Sequence, residues 1–243
     1  MLKFLIQIMT ILITGSNKGL GLEFVKQYLK RGEEVIATCR NPEKADVLQQ
    51  LQQKHSDKLK IIQLDVADKK SINAAHKEVK QKFDSLDILI NNAGIRSGGE
   101  QNSYTIGEMH TEDVDKVFRV NSTGPVLVAE KFLDLIEKSS NPKIINITSG
   151  LGSIGNKRWV FRYSYCASKA ALNMFSKLMS FELQEKGIIV IPLHPGHVKT
   201  DLGGYQAPLD PPESIAGMIK IIDSLTLEDT GKYLSWDGKE LLW

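Results

Sequence analysis

Tyr165 and Lys169 stand four residues apart in the run Tyr165-Cys166-Ala167-Ser168-Lys169. On a helix that spacing puts a phenol and an ammonium on one face. A free phenol has a pKa of about 10 and exchanges protons sluggishly near neutrality. A neighbouring ammonium stabilises the phenolate and lowers that value, and a pair of this kind can pass a proton to or from a reacting carbonyl. The pattern is common by chance; Tyr163 lacks it, having Ala167 four residues on. Its weight comes from a second pattern far away in the chain, Thr14-Gly15-Ser16-Asn17-Lys18-Gly19-Leu20-Gly21. There Gly15 permits a tight turn, Gly19 lets a cofactor backbone approach, and Gly21 allows helix and strand to pack closely. The helix that follows offers N–H groups and a partial positive charge to a pyrophosphate. A chain carrying both patterns is expected to be an oxidoreductase that uses a dinucleotide.

Which dinucleotide should be readable at the end of the second strand, where a carboxylate would bind the ribose hydroxyls of NAD. The sequence there is Ala37-Thr38-Cys39-Arg40-Asn41, with no acid. Arg40 can meet a 2′-phosphate as a planar, permanently charged donor, and Lys18 can add a second positive charge. The alternative is two solvated surface cations. NADP(H) is the expected cofactor, and no metal site is expected.

These groups need a frame to hold them, and the chain alternates short apolar runs with longer amphipathic ones. Strands are expected at Thr10–Thr14, Glu34–Thr38, Lys60–Leu64, Leu86–Ile90, Lys143–Thr148, Ile188–Leu193 and Lys232–Ser235. Helices are expected at Leu20–Arg31, from about Pro42, at Ser71–Phe83 with Ser71 as cap, from Val114 to Lys138 with a break near Gly124-Pro125, from Tyr165 to Lys186, and from Pro211 or Pro212. Residues 95–110 read as loop. Strands separated by helices imply parallel pairing and right-handed crossovers. The expected fold is therefore α/β, a single-domain Rossmann-type doubly wound parallel sheet flanked by helices. Residues 1–8 read as an extension or a misassigned start, and residues 9–243 as one dinucleotide-binding and catalytic domain.

The chain has 243 residues and a formal net charge of only +2. That gives no global electrostatic case for binding nucleic acid or a membrane. Cys39 and Cys166 are the only cysteines, too few for a disulfide framework, and point to a reducing, cytoplasmic setting. The apolar start, Met1 to Ile13, is too short to cross a membrane. Cleaving it as a signal would remove the strand that leads into the glycine loop.

The glycine loop, Asn91-Asn92-Ala93-Gly94, Asn121, Ser149, Tyr165 with Lys169, and Pro195-Gly196 follow in an order that resembles the classical short-chain dehydrogenases/reductases, over about Thr10 to Ser235. The run Ser149 to Gly155, the run His194 to Gly204 and the closing Trp236-Asp237-Gly238 look most like the sniffer-type carbonyl reductases and their bacterial C-factor-like relatives. The resemblance implies NADPH-dependent reduction of aldehydes, ketones or quinones. Tyr165 would be the general acid, and Lys169 would bind the nicotinamide ribose and hold down the phenol's pKa. Ser149 would hydrogen-bond the substrate carbonyl, and Asn121 would anchor a water linking Lys169 to solvent. Asp65 and Val66 would meet the adenine. Asn91, Ala93 and Gly94 would line the cofactor, Asn91 also bracing the sheet. Val198 and Thr200 would meet the nicotinamide carboxamide.

Bland readings stand beside these: Ser149 as a strand terminator, Asn121 as a cap or kink, Asp65 as a turn residue. His194 reads as packed at a strand end rather than catalytic, and Cys166 as helix packing. The interval from Ser149 to Tyr165 is longer than is usual in the family. Within it Trp159 and Phe161 read equally as a pocket wall, loop anchors or a dimer contact. Ala170, Ala171, Met174, Leu178 and Phe181 are apolar material for either a homodimer helix face or a core stripe. An NADP-dependent alcohol or steroid dehydrogenase acting oxidatively is an alternative function. So is a non-catalytic NADP(H)-binding signalling protein, though such a protein has no need of Ser149, Asn121, Tyr165 and Lys169 together.

Overall fold

The computed structural model describes residues 8–96, 106 and 109–243. Residues 1–7 of the expected extension at 1–8, and most of the loop at 95–110, lie outside them. Seven strands form one sheet: β1 (Thr10–Ile13), β2 (Glu34–Cys39), β3 (Leu59–Gln63), β4 (Ile88–Asn91), β5 (Lys143–Ile147), β6 (Ile189–His194) and β7 (Leu234–Ser235). Their order is β3-β2-β1-β4-β5-β6-β7, with parallel pairing throughout. The chain winds outward from β1 to β3 and then returns to place β4 on the other side of β1. That reversal leaves a crevice above the carboxyl ends of β1 and β4, the usual ligand position in a doubly wound sheet.

Alternation along the buried strands sends successive side chains to opposite faces. Ile11, Ile13, Val35 and Ile145 meet Phe24, Val25 and Tyr28 of α1 (Gly19–Lys30) and Ile215, Met218 and Ile222 of α7 (Pro211–Ser224). Leu48 of α2 (Asp46–Lys54) joins that layer. Leu12, Ile36, Leu89 and Ile144 face the other way. They meet Ile72 and Val79 of α3 (Lys69–Lys80), Val128 and Phe132 of α5 (Gly124–Ile136), and Met179 and Leu183 of α6 (Tyr163–Gln184). Burial on both sides is why these strands read as continuous apolar runs.

Two local expectations need correction. Ser71 does not cap α3: Asp68 does, its carboxylate accepting from the Lys70 N–H at 2.9 Å, while Ser71 Oγ accepts from the Asp65 N–H. The stretch expected as one helix with a break is α4 (Thr111–Phe118), a π-helical turn over Arg119–Thr123, and α5. Gly124 follows that turn because a Cβ there would press on the carbonyls of Arg119 and Val66, each 2.9 Å away. On α6, Met174, Leu178 and Phe181 are exposed, so they are not a core stripe. Among the described residues, no helix is long and apolar enough to cross a membrane.

Candidate active site

The glycine loop is the turn from β1 into α1, and β4 holds it in place. Thr14 Oγ1 accepts from the N–H groups of Asn92 and Ala93, both at 3.0 Å. Asn92 Nδ2 donates back to the carbonyls of Thr14 at 2.8 Å and Gly15 at 3.1 Å. Gly15 has a φ of +67°, and a Cβ on it would lie 2.9 Å from the Ala93 Cα. A Cβ on Gly21 would collide with the Gly15 carbonyl and lie 2.5 Å from Asn92 Nδ2. Gly21→Ala should therefore split the loop from its brace. The expected result is a loss of about 1–3 kcal/mol in thermal or urea unfolding, as for an overpacked core, together with weaker dinucleotide binding. Wild-type unfolding in that variant would refute the brace.

The first turn of α1 has neither a side-chain cap nor an acidic residue. Its free N–H groups and partial positive charge are thus left for an anion. The loop forms one end of a cleft of about 620 Å³ at the sheet's switch point. Of the residues expected to bind cofactor, Gly15, Asn17, Lys18, Gly19, Leu20, Arg40, Asp65, Val66, Ala93, Gly94, Tyr165, Lys169, Pro195 and Thr200 line it.

Four others stand back from its wall. Gly21 lies beneath the loop. Asn91 is buried at the end of β4, its Nδ2 donating to Asn146 Oδ1 at 2.9 Å and so tying β4 to β5. Asn146 in turn donates to Ser176 Oγ on α6. Gly196 faces Leu209 and Trp236, and buried Val198 pairs as a bridge with Leu209. The loop cation is also engaged: Lys18 Nζ meets Asp201 at 2.6 Å, and Asp201 accepts from the Tyr205 hydroxyl at 2.6 Å. Lys18 therefore ties the glycine loop to the segment after β6. Arg40 is exposed at the β2 end.

Tyr165 and Lys169 occupy the first turns of α6, the longest helix among the described residues. Burial dominates both groups. It pushes the Tyr165 phenol up to about 12, with the Ser149 side chain as a hydrogen-bond partner pulling the other way. It pushes Lys169 down to about 8. The sequence-based expectation that Lys169 holds the phenol down does not describe the protein by itself. Lys169 Nζ instead donates to the Ile147 carbonyl at 2.8 Å, and removal from water outweighs any neighbouring charge at the phenol.

Ser149 follows β5. Its Oγ accepts from the Leu151 N–H at 3.2 Å and its carbonyl accepts from the Tyr233 hydroxyl at 2.6 Å. Tyr233, wholly buried and 5.5 Å from the Trp243 ring, is a support the sequence did not flag, because it arrives 84 residues later. Thr148, next to Ser149, turns under α6, where its hydroxyl donates to Asn173 Oδ1 at 2.6 Å.

Asn121 lies in the π turn and is fully buried. Its side chain accepts from the Ile95 N–H at 2.8 Å, donates to the Ile95 carbonyl at 2.7 Å and donates to Ser168 Oγ at 3.1 Å. It clamps the exit of β4 to α6. A Cβ on Gly94 would project to 3.6 Å from Asn121 Oδ1 and 3.7 Å from Lys169 Nζ, so the absent side chain keeps the space before both open.

His194 packs against Gly150, and burial lowers its pKa to about 4. It is a packed strand-end residue. Cys166 does more than fill space: its Sγ donates to the Phe161 carbonyl at 2.8 Å and accepts from Lys157 Nζ at 3.2 Å, fastening the long interval to α6. Both cysteines are free. Trp159 is 61% exposed and is not on the described wall of this cleft, with Lys157 Nζ 5.7 Å from its ring.

A family model described as short chain dehydrogenase matches residues 9–208. The NADPH-bound carbonyl reductase from chicken fatty liver has a similar structure, with a TM-score of 0.91 and 37% identity over 98% of this chain and 100% of that one. The carbonyl reductase Sniffer of Drosophila melanogaster gives 0.90 and 33% over the same shares. The C-signal protein of Myxococcus xanthus is 35% identical over 158 residues, which is 65% of this chain and 93% of its own.

Proposed function

The chain belongs to the short-chain dehydrogenase family of oxidoreductases, and from that premise we propose that it reduces carbonyl compounds (aldehydes, ketones and quinones) with NADPH in the cytoplasm. The observation that carries the reading is the Tyr165 phenol, held protonated by burial, in reach of Ser149 and on the wall of the same cleft as the glycine loop. The cleft suits NADPH on its own features. The uncapped start of α1 fits a pyrophosphate, Arg40 with no acid at the end of β2 fits a 2′-phosphate, and the gap left by Gly94 before Lys169 and Asn121 fits a ribose. When bound, the reduced nicotinamide supplies a hydride to the carbonyl carbon.

The protein's own part is proton supply and charge stabilisation. Tyr165 gives its proton to the carbonyl oxygen as negative charge develops there. Ser149 donates a hydrogen bond to the same oxygen and is fixed for that task by the Tyr233 bond to its carbonyl. Lys169, charged below about pH 8, lies buried at the cleft and favours the phenolate left behind. Asn121 keeps Ile95 and α6 in register around it. Oxidation of an alcohol would run through the same groups in reverse, with Tyr165 accepting the proton, so these residues serve either direction and the ratio of the cofactor's two forms sets it.

A steady-state assay of NADPH oxidation against a panel of aldehydes, ketones and quinones tests the activity; no turnover of any member refutes it. Arg40→Asp tests the cofactor. Losing a charge-assisted contact should weaken NADPH binding on the order of 10–100-fold and leave NADH nearly untouched, as read by fluorescence titration. An unchanged preference for NADPH would defeat the assignment of Arg40.

A further inference from the structure

Ser149 heads the interval that runs to α6, and the one helical turn in that interval is the short Gly150–Gly152. A stretch of this kind moves unless its backbone is tied down. Helix α6 supplies one tie: a Cβ on Gly152 would lie 2.7 Å from the Lys169 carbonyl carbon, so loop and helix are in close contact there. Residues 241–243 supply the others. After β7 the chain doubles back. The Ser235 N–H donates to the Lys239 carbonyl at 2.8 Å, Leu234 and Glu240 pair as an antiparallel bridge, and the Leu241 N–H donates to the Tyr233 carbonyl at 2.7 Å.

That return lays Leu242 and Trp243 against the interval headed by Ser149. Ser153, only 1% exposed, donates from Oγ to the Leu242 carbonyl at 2.6 Å, and the Gly155 N–H donates to the Trp243 main-chain oxygen at 2.7 Å. A Cβ on Gly155 would press on that oxygen at 3.1 Å and on the Leu242 Cβ at 3.2 Å. The Trp243 ring lies 5.5 Å from the Tyr233 ring, and Lys177 Nζ of α6 lies 5.5 Å from its centroid. Tyr233 in turn donates its hydroxyl to the Ser149 carbonyl at 2.6 Å. Packing alone would need only the ring. Here the ring reaches the first residue of the interval through Tyr233, and the main-chain oxygens beside it reach Ser153 and Gly155.

We propose that Trp243 is a positioning residue for the Ser149 hydroxyl, acting through the Tyr233 ring at one end of the interval and through Ser153 and Gly155 at the other. The proposal rests on the reading of Ser149 as the hydrogen-bond donor to the substrate carbonyl. A misplacement of about 1 Å at a reacting group can cost about 10²-fold in rate, so a brace on Ser149 is felt in kcat.

The test is a double-mutant cycle on the NADPH-loaded protein, with 9,10-phenanthrenequinone as substrate. Trp243→Ala should lower kcat on the order of tenfold and leave NADPH binding, read by fluorescence, unchanged. Trp243→Phe, which keeps a ring against Tyr233, should restore most of the rate. In a Ser149→Ala background, Trp243→Ala should cost less than about twofold, because the brace then has no hydroxyl to aim. Wild-type kcat in Trp243→Ala, or its full loss repeated in the Ser149→Ala background, overturns the proposal. Should Trp243→Ala fail to fold, Trp243→Leu, which keeps apolar bulk without a ring, takes its place under the same criteria.

If the wild type does not reduce the quinone, amide hydrogen exchange followed by NMR, with NADP+ present, decides. The same variant should speed exchange at the Leu151 N–H, which donates to Ser149 Oγ at 3.2 Å, and leave buried α6 amides such as that of Leu172 as they were. That result upholds the brace while the reductase reading falls. Unchanged exchange at Leu151, or exchange quickened equally in α6, overturns the brace too.

Discussion

Replacing Tyr165 by Phe should abolish carbonyl reduction while the protein still folds and binds NADPH. The substitution removes one hydroxyl from a ring that is only 7% exposed, so packing of the ring is kept. What is lost is the proton donor. General acid catalysis contributes roughly 10²–10⁴-fold, so kcat/KM should fall by that factor, about 3–5 kcal/mol in the barrier. Tyr163, two residues earlier, cannot substitute, because a shift of two positions on a helix turns the side chain away from the site. The check is NADPH oxidation by wild type and variant side by side, with cofactor binding followed by fluorescence. Near-full reduction by the variant would remove Tyr165 from the mechanism.

Lys169→Met is expected to come close in effect on activity and to leave stability at pH 7 unchanged or raised. Phenol and ammonium act as a unit, so kcat/KM should fall by ~10²-fold or more. In wild type the reductive rate should decline as pH rises through about 8, where Lys169 gives up its proton; the variant should lack that decline. For stability the sign follows from proton binding. Lys169 titrates near 8 in the folded chain and near 10.5 unfolded, so between these values the unfolded chain holds more protons and stability rises with pH. Below that window the buried ammonium opposes folding, by about 3 kcal/mol as an order of magnitude. Lys169→Met should therefore show a Tm at pH 7 equal to or above that of wild type. A Tm several degrees lower would mean that Lys169 is retained for the fold, through its bond to the Ile147 carbonyl, rather than for chemistry.

Features written in consecutive residues were readable before the fold was known. The strand, glycine loop and helix at Thr10 to Lys30 are such a case, since the whole pattern lies in one run, although the atoms that exclude a side chain at Gly15 and Gly21 include Ala93 and Asn92 from the far end of β4. So is the placing of Tyr165 and Lys169 on one helical face, and so is the parallel sheet, which follows from strands alternating with helices. What escaped depends on distant partners. Nothing near Tyr233 says that its hydroxyl reaches the Ser149 carbonyl, and nothing near Lys18 says that it meets Asp201. The π turn at Arg119–Thr123 left no periodicity to read, because one widened turn shifts a helical pattern no more than ordinary variation does. The pKa of Tyr165 escaped for a related reason. Sequence gives its neighbour Lys169, but the prevailing influence is burial, which only the assembled core supplies.

The most direct test of the central claim is a crystal structure of the protein with NADP+ bound. The account predicts the pyrophosphate at the start of α1, the 2′-phosphate against Arg40, and the Tyr165 hydroxyl in contact range of the reactive edge of the nicotinamide, with Lys169 at the ribose. A nicotinamide ring seated away from Tyr165, or a Lys169 that still holds the Ile147 carbonyl and leaves the ribose untouched, would contradict it.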